Sequence, residues 1–291
     1  MFVDACKIAS EFTAPVIISR RHLDGSVKSV CGACIVLNKD GWAMTAAHVF
    51  NSYLAFEQHK PLVKKHRAEV AAIEGDTSLN AKQKAKKIKR IKSDPKWIIN
   101  HSLWWGFGGG ATMPKVEIQR EIDLAVGRLE PWDPTWVSKY PVIKDPTKDM
   151  DVGKSLCRLG YPLYDIDATY DEAKGMFQLA EGTLPLPRFP LEGIYTRNIV
   201  GGRTADNKYE TRFLETSSPG LMGQSGGPVF DVQGTVWAVQ SRTHHYELGF
   251  SPKTQKGKEE HQFLSVGWAV HPEVIVSFLR DKGIDCQLSD Y

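Results

Sequence analysis

The sequence has no hydrophobic run close to the roughly 20 apolar residues that a membrane-spanning helix needs, so we expect no membrane span. Its first residues, where Asp4 stands, lack the basic segment and long apolar stretch of a secretory signal. Five cysteines at irregular positions are an odd number, which excludes a regular disulfide framework. Together these absences predict a cytoplasmic protein.

Neither sign of charge dominates the whole chain of 291 residues, since 37 Lys and Arg oppose 34 Asp and Glu, a net charge of +3. The proportions of hydrophobic residues (42%) and charged residues (24%) are ordinary for a globular protein, which excludes disorder, collagen-like repeats and coiled coil. A chain of this length buries about 75% of its unfolded surface, enough for one large domain or two small ones.

Short apolar runs bounded by Gly, Asp, Asn or Pro dominate the chain after Pro15 and predict about a dozen short strands. This spacing favours an all-β fold of sandwiches or barrels over a parallel α/β sheet. A short helix is predicted at residues 3–12. A second is predicted at residues 271–281, where Pro272 suits the helix start and Gly283 follows its end.

Residues 50–110 interrupt the strand pattern. The run of residues 78–92 is a good helix former, with a predicted cap at Thr77 or Ser78. Residues 60–96, the basic insert, carry 12 Lys or Arg against 4 acids, a net charge of +8 that leaves −5 for the rest of the chain. Two interpretations remain open: a solvated surface helix, or a site for an anionic partner such as nucleic acid, a membrane surface or an acidic protein.

The segment Gly223–Pro228, Gly-Gln-Ser-Gly-Gly-Pro, is the most informative motif. A serine flanked by glycines lies in a tight turn where no side chains block the backbone N–H groups. The N–H groups of Gly223 and Ser225 are therefore predicted to form an oxyanion hole.

A serine hydroxyl becomes a strong nucleophile when an imidazole takes its proton, and His48 has the most suggestive setting among the nine histidines. It follows a short apolar strand and three small residues, which predicts an imidazole on a turn at the strand end. Asp123 precedes the apolar run Leu124–Val126, and buried acids are rare without a partner. We expect Asp123 to orient His48.

The motifs around His48, Asp123 and Ser225 follow one another in the order His, Asp, Ser and resemble the three signatures of the trypsin-like (chymotrypsin-fold) serine peptidases. The resemblance is closest to the HtrA/Deg-type branch and covers about residues 14–50 and 115–284, with no PDZ domain expected. Three further segments carry it: Leu159–Pro162, Phe213–Thr216 and Gly267–Val270.

The resemblance implies an all-β fold of two six-stranded antiparallel β-barrels, with a C-terminal helix and a basic helical insert. Residues 1–140 would form the N-terminal barrel with His48 and Asp123, interrupted by the insert at about 55–110. Residues 141–291 would form the C-terminal barrel with Ser225 and the terminal helix. The implied activity is that of a serine endopeptidase acting on proteins or peptides, without cofactor or metal.

Two departures from the secreted members of the family bear on regulation. Gln224 stands where many of them have an Asp that pairs with a new N-terminus after zymogen cleavage, so control by a partner or ligand is expected instead. Val49 stands where they have a cysteine that bridges to a position near Cys31, which favours a reducing compartment.

The resemblance also implies a substrate site. The strand Val239-Gln240-Ser241 would pair with the extended substrate backbone, with Pro219 and Trp268 among the walls of the specificity pocket. No acid is clearly placed at the pocket base, which argues against a preference for Arg or Lys and favours a small or medium apolar side chain.

Two alternatives stay open at the level of sequence. The chain could be a catalytically silent scaffold that binds an anionic partner through residues 60–96. Cys31-Gly32-Ala33-Cys34 could be a redox pair or half of a zinc site, although the absence of a second such motif favours structural cysteines on a strand.

Overall fold

The computed structural model describes residues 1–107, 110–253, 255–257, 259–260 and 262–291. Most of its strands form two sheets, and the expectation of a mostly β fold is confirmed. The first sheet contains six strands: β1 (Thr13–His22), β2 (Val27–Val36), β3 (Trp42–Thr45), β4 (Ile98–Trp105), β5 (Val116–Gln119) and β6 (Leu124–Arg128).

The first sheet is antiparallel throughout, in the order β4-β1-β2-β3-β6-β5. Its end strands β4 and β5 form no ladder with each other within the described residues, so it is a half-barrel. The chain leaves this sheet after β3 and returns to it through β4, where Trp105 is buried beside Phe50.

The remaining strands belong to the second half of the chain: β7 (Val142–Ile143), β8 (Ser155–Gly160), β9 (Ala168–Asp171), β10 (Met176–Leu179), β11 (Phe189–Arg203), β12 (Glu210–Thr216), β13 (Pro228–Phe230), β14 (Val236–Glu247), β15 (Phe263–Val270) and β16 (Gln287–Leu288). Strands β9 and β10 form a separate hairpin.

The second sheet has the order β13-β8-β11-β12-β15-β14-β7-β16, and an additional pairing of β13 with β14 closes its first six strands into a barrel. The short strands β7 and β16 extend the sheet through parallel pairs, which the prediction of a purely antiparallel barrel did not include.

The described residues form four α-helices beside the sheets: α1 (Val3–Phe12), α2 (Asn51–Gly75), α3 (Ala81–Ile88) and α4 (Pro272–Asp281). The predicted helices at both ends of the chain are confirmed. Helix α4 begins as its sequence indicates, because Pro272 occupies its first turn and the His271 side chain accepts a hydrogen bond from the Glu273 N–H.

The basic insert differs from its prediction in two respects. Helix α3 is capped by Asn80, whose side chain and that of Gln83 form a reciprocal capping box, so the expected cap at Thr77 or Ser78 is wrong. The longest helix, α2, was not predicted, and it contains Pro61, a residue that normally breaks helices. Within the described residues, no helix has the length and apolar character that crossing a membrane would require.

Candidate active site

The pairing of β3 with β6 brings His48 and Asp123 together. Thr45 at the end of β3 lies opposite Ala125 in β6, so the residues after β3 and before β6 are neighbours. His48 lies on the 3₁₀ turn Ala47–Phe50 that follows β3, and Asp123 directly precedes β6. The Ala47 N–H donates to the Asp123 carbonyl oxygen at 3.2 Å and ties the two segments.

The Asp123 carboxylate accepts hydrogen bonds from three groups. His48 Nδ1 lies 3.1 Å from Oδ1 and 3.0 Å from Oδ2, and the His48 backbone N–H donates to Oδ1 at 3.0 Å. The Ser241 hydroxyl donates to Oδ2. A hydrogen bond from Nδ1 to a carboxylate leaves Nε2 as the basic nitrogen of a neutral imidazole, the arrangement that a general base needs.

Burial differs across this pair, since the His48 side chain is 38% exposed and the Asp123 side chain only 8%. Burial raises the pKa of Asp123, but the hydrogen bonds from His48 and Ser241 outweigh it and hold this pKa below its usual value. The carboxylate is therefore ionised at neutral pH and can stabilise a protonated imidazole.

Residues 221–227, the nucleophile loop, are held in place by their own polar groups. Gln224 donates its N–H to the Leu221 carbonyl oxygen, and its side-chain oxygen accepts from the Leu221 N–H, each at 2.9 Å. Gly223 has a φ of +98°, and a Cβ there would lie 2.4 Å from the Tyr161 carbonyl oxygen, so only glycine fits this position. The fully buried Gln224 thus braces the turn that presents Ser225.

The nucleophile loop packs against the segment that carries His48. Ser225 accepts a hydrogen bond from the Ala33 N–H at 2.8 Å through its carbonyl oxygen. A Cβ on Gly226 would lie 2.1 Å from Thr45 Oγ1 and 2.9 Å from the Ala46 nitrogen. Within the described residues Ser225 Oγ and His48 Nε2 form no hydrogen bond, and such bonds often tighten only when substrate is bound.

Both backbone donors predicted for the oxyanion hole are free. The N–H groups of Gly223 and Ser225 donate to no described group, whereas the N–H groups of Gly226 and Gly227 bond to the carbonyl oxygens of Gln240 and Gln224. Two backbone donors in the same turn that have no described partner suit an incoming oxygen atom.

The backbone of β14 is available to a substrate only from Ser241 onward. Val239 pairs with Pro228 on one side and with Val270 on the other. Both backbone groups of Gln240 are bonded to residues 226 and 227 of the nucleophile loop. Neither Val239 nor Gln240 therefore offers a free backbone group at this edge, although both were predicted to pair with the substrate.

A buried arginine lies beneath the predicted specificity pocket. Arg158 on β8 is 1% exposed and donates to the carbonyl oxygens of Ser218 and Pro219 and to the Thr216 hydroxyl. It has no carboxylate partner among the described residues, and burial lowers its pKa to about 10. Arg158 was not predicted as a site residue, because its local sequence gives no sign that it reaches the loop before Ser225.

Two further side chains define the surroundings of this pocket. The Gln240 side chain donates to the carbonyl oxygens of Arg242 and Trp268, and it fills the space beside Gly220. The Trp268 indole donates to Glu215 at 3.1 Å and stacks on His244. A Cβ on the preceding residue, Gly267, would point toward Ser218 in the wall of the predicted pocket. Because successive residues of a strand point to opposite faces, Trp268 points away from the pocket wall in which it was predicted.

The cysteine motif on β2 carries no sign of chemistry. Cys34 is fully buried and Cys31 is half-buried, and burial raises the pKa of both thiols, that of Cys31 to about 12. Residues three apart on a strand face opposite sides, which disfavours a shared metal or a disulfide. All five cysteines of the chain are free thiols.

Solved structures of proteases are similar to this chain at low sequence identity, and a search of the curated proteins finds no match. The active form of the Rv3671c protease from M. tuberculosis is 14% identical, with a TM-score of 0.49, over 99% of this chain and 88% of that one. The HtrA-type protease AlgW, solved with a tripeptide, is 12% identical with a TM-score of 0.48. That match covers 97% of this chain and 63% of AlgW, so this chain spans less than two thirds of AlgW.

The decisive comparison is with protein-family models. The model of the trypsin-like peptidase domain matches residues 32–239, well over half of the chain, and this segment contains His48, Asp123 and Ser225. The family predicted from the three sequence motifs is confirmed, and the chain belongs to the trypsin-like peptidases.

Proposed function

We propose that the protein is a serine endopeptidase that hydrolyses peptide bonds through an acyl-enzyme. The observation that carries the proposal is the His48–Asp123 hydrogen-bonded pair beside a serine loop with two unpaired N–H groups. Ser225 Oγ would attack the substrate carbonyl while His48 Nε2 takes its proton, and the N–H groups of Gly223 and Ser225 would bind the developing oxyanion.

The second half of the reaction uses the same groups. Protonated His48, stabilised by ionised Asp123, would donate its proton to the leaving amine, which departs and leaves an ester on Ser225. A water molecule deprotonated by His48 would then attack this ester. Collapse of the second tetrahedral intermediate releases the acid product and returns the proton to Ser225.

The test is labelling with a fluorophosphonate, which needs an activated serine but no knowledge of the substrate. Wild type should be labelled, whereas Ser225→Ala and His48→Ala should lose at least about 10³-fold in rate. Ser138→Ala and His245→Ala are matched controls, since both residues lie on the surface away from the loop. Labelling that survives in Ser225→Ala would contradict the assignment.

We also propose that the basic insert binds an anionic partner, nucleic acid or an acidic protein, which regulates the site. The seven basic residues of the stretch 82–92 make no ion pair within the described part of the chain, and all but Lys84 are exposed. Helix α2 begins at Asn51, three residues after His48, so a partner held by the insert can act on the His48 turn. This link between the insert and the His48 turn supports the prediction that the insert is a site for an anionic partner.

The regulatory proposal is tested with the same label. Addition of RNA, DNA or polyglutamate should change the labelling rate of wild type in a salt-dependent manner, because binding through lysines releases counterions. A Lys84→Gln, Lys86→Gln, Lys87→Gln variant should lose most of this response. A variant carrying Lys7→Gln, Lys39→Gln and Lys139→Gln is the charge-matched control. A folded wild type that is never labelled, alone or with these ligands, would favour the silent scaffold.

A further inference from the structure

A cavity of about 420 Å³ opens beside the His48–Asp123 pair. Its wall contains the turn that carries His48, the first residue of α2 and the beginning of the free edge of β14. Seven residues line it: Ala47, His48, Asn51, Arg120, Asp123, Ser241 and Arg242. The cavity thus lies where a substrate chain paired with β14 would place a side chain, next to the proposed general base.

Two arginines from distant parts of the chain line this cavity. Arg120 lies in the turn before β6, where its carbonyl oxygen accepts from the Asp123 N–H, and Arg242 lies on β14. Both are exposed, and neither makes an ion pair with any described residue. Their guanidinium groups therefore keep most of their hydrogen-bond donors free.

Arg242 is held in position although it has no acidic partner among the described residues. Its guanidinium carbon lies 4.7 Å from the centre of the Phe213 ring, and its Nε lies 3.5 Å from Ser241 Oγ. Stacking of a guanidinium on an aromatic face leaves the edge donors free for a carboxylate. A preorganised guanidinium loses less side-chain entropy when it binds.

The acid in the cavity wall offsets the arginines only in part, because one carboxylate is set against two guanidinium groups. Both oxygens of Asp123 already accept hydrogen bonds from His48 and Ser241, and the side chain is 8% exposed. Asn51 adds an uncharged amide to the wall. The cavity consequently presents a net positive charge and free guanidinium donors, which suit an anionic group.

We propose that this cavity is the subsite for an acidic side chain, Glu or Asp, of the substrate. The proposal rests on the peptidase function proposed above and adds its substrate class: a peptide with a carboxylate at one fixed position relative to the cleaved bond. Arg120 and Arg242 would each donate to that carboxylate, a charge-assisted arrangement that also fixes the substrate backbone over His48. Both arginines are specificity-determining residues in this proposal.

The experiment compares matched peptide libraries in which Glu or Gln is fixed at each position from four residues before to three residues after the cleaved bond. Glu should exceed Gln about tenfold in kcat/KM at a single position, and 0.5 M salt should reduce this ratio because the arginines are exposed. Equal rates for Glu and Gln at every position would overturn the proposal.

Variants assign the preference to the cavity. Arg120→Gln and Arg242→Gln should each lower the Glu/Gln ratio about threefold, and Arg242→Glu should replace the preference for Glu by one for Lys at that position. Arg280→Gln, an exposed arginine on α4, is the matched control and should keep the ratio. The triple Lys→Gln variant of the insert should also keep it, which separates this subsite from general attraction of acidic peptides.

Two readouts keep the subsite distinguishable from the peptidase function. Fluorophosphonate labelling of wild type reports the activated serine independently of the subsite, because the probe has no side chain for the cavity. Binding of the same Glu and Gln peptide pools to Ser225→Ala, followed by fluorescence anisotropy, tests the cavity without cleavage. If wild type is labelled but shows no preference for Glu over Gln, the subsite proposal is refuted and the peptidase proposal stands. If wild type is not labelled but the protein binds the Glu peptides preferentially, only the peptidase proposal is refuted.

Discussion

The His48 side and the Ser225 side of the candidate active site differ in how their polar groups are paired. On the His48 side, both oxygens of Asp123 accept hydrogen bonds, one of them from Ser241 on the second sheet. On the Ser225 side, two backbone N–H groups and the hydroxyl of Ser225 have no partner among the described residues. In the proposed mechanism, the pair that handles the proton is complete before substrate arrives, and the side that would bind the reacting atoms keeps its donors free.

This difference has a physical basis in what each side must do. A carboxylate that is buried without partners would be neutralised, so Asp123 needs its donors at all times. An oxyanion hole gains its effect from donors that are fixed in place but free when charge develops on the substrate. Glycine makes this geometry accessible to the backbone, because Gly223 adopts a φ of +98° that other residues rarely reach.

The largest effect is expected from a change on the His48 side, where the hydrogen bonds are complete. Asp123→Asn should lower the fluorophosphonate labelling rate by about 10⁴-fold, the scale of loss that this change causes in related triads, because an amide favours the wrong tautomer of His48. Asn suits the backbone, since Asp123 has a φ of +55° and Asn tolerates this region. The measurement is the second-order labelling rate together with the thermal midpoint. A rate within tenfold of wild type would show that Asp123 does not orient His48.

A smaller effect is expected from a substitution that displaces the nucleophile loop, which carries the free N–H donors. A Cβ on Gly226, which has a φ of +83°, would lie 2.1 Å from Thr45 Oγ1 and 2.3 Å from the Ala33 carbonyl oxygen. Gly226→Ala should therefore destabilise the protein by about 2–4 kcal/mol and, by shifting Ser225 relative to His48, lower the labelling rate about 100-fold.

The chain offers a close control for the Gly226 variant. Gly25 has a φ of +84°, but a Cβ added there would have no other atom within 4 Å, so Gly25→Ala imposes the same backbone strain without a collision. It should cost about 1 kcal/mol and leave the labelling rate unchanged. If both variants lost the same stability and kept their labelling rates, the packing of the nucleophile loop against Thr45 would not position Ser225.

The sequence was sufficient for groups that carry a local signature and insufficient for those assembled by distant strands. His48, Asp123 and Ser225 each stand in a recognisable segment, and strand spacing predicted the mostly β fold. Arg120 and Arg242 are 122 positions apart, and nothing beside either residue indicates that the turn before β6 and strand β14 bring them to one cavity. The same holds for Arg158, whose partners come from a loop about 60 residues later.

The helical insert shows a second limit. Helix α2 was not predicted because it contains Pro61 and its sequence has a weak amphipathic pattern. The pattern is weak because most of the helix surface faces solvent and only Val63 is buried. Contacts with β4 support it instead, including a hydrogen bond of 2.9 Å from the Ile98 N–H to His59 Nδ1. Such tertiary support cannot be read from local propensity.

The smallest expected effect concerns the hydrogen bond from Ser241 to Asp123, which joins the two sides. Ser241→Ala should lower the labelling rate by about tenfold or less and destabilise the protein by about 1.5–3 kcal/mol at pH 7, because an ionised carboxylate loses a donor. The folded pKa of Asp123 lies below its unfolded value, so this contribution is present above about pH 4 and is lost as the pH falls through the folded pKa.

Urea unfolding at a series of pH values, from pH 7 down to the lowest pH at which the protein is folded, measures this dependence, with Ser19→Ala as the control. Ser19 is equally buried but bonds to the neutral hydroxyl of Ser29 at 2.8 Å, so its loss should be the same at every pH value. A Ser241→Ala destabilisation that does not shrink as the pH falls would mean that the serine serves packing rather than the charge of Asp123. The junction between the two sheets would then contribute nothing to the ionisation on which the proposed general base depends.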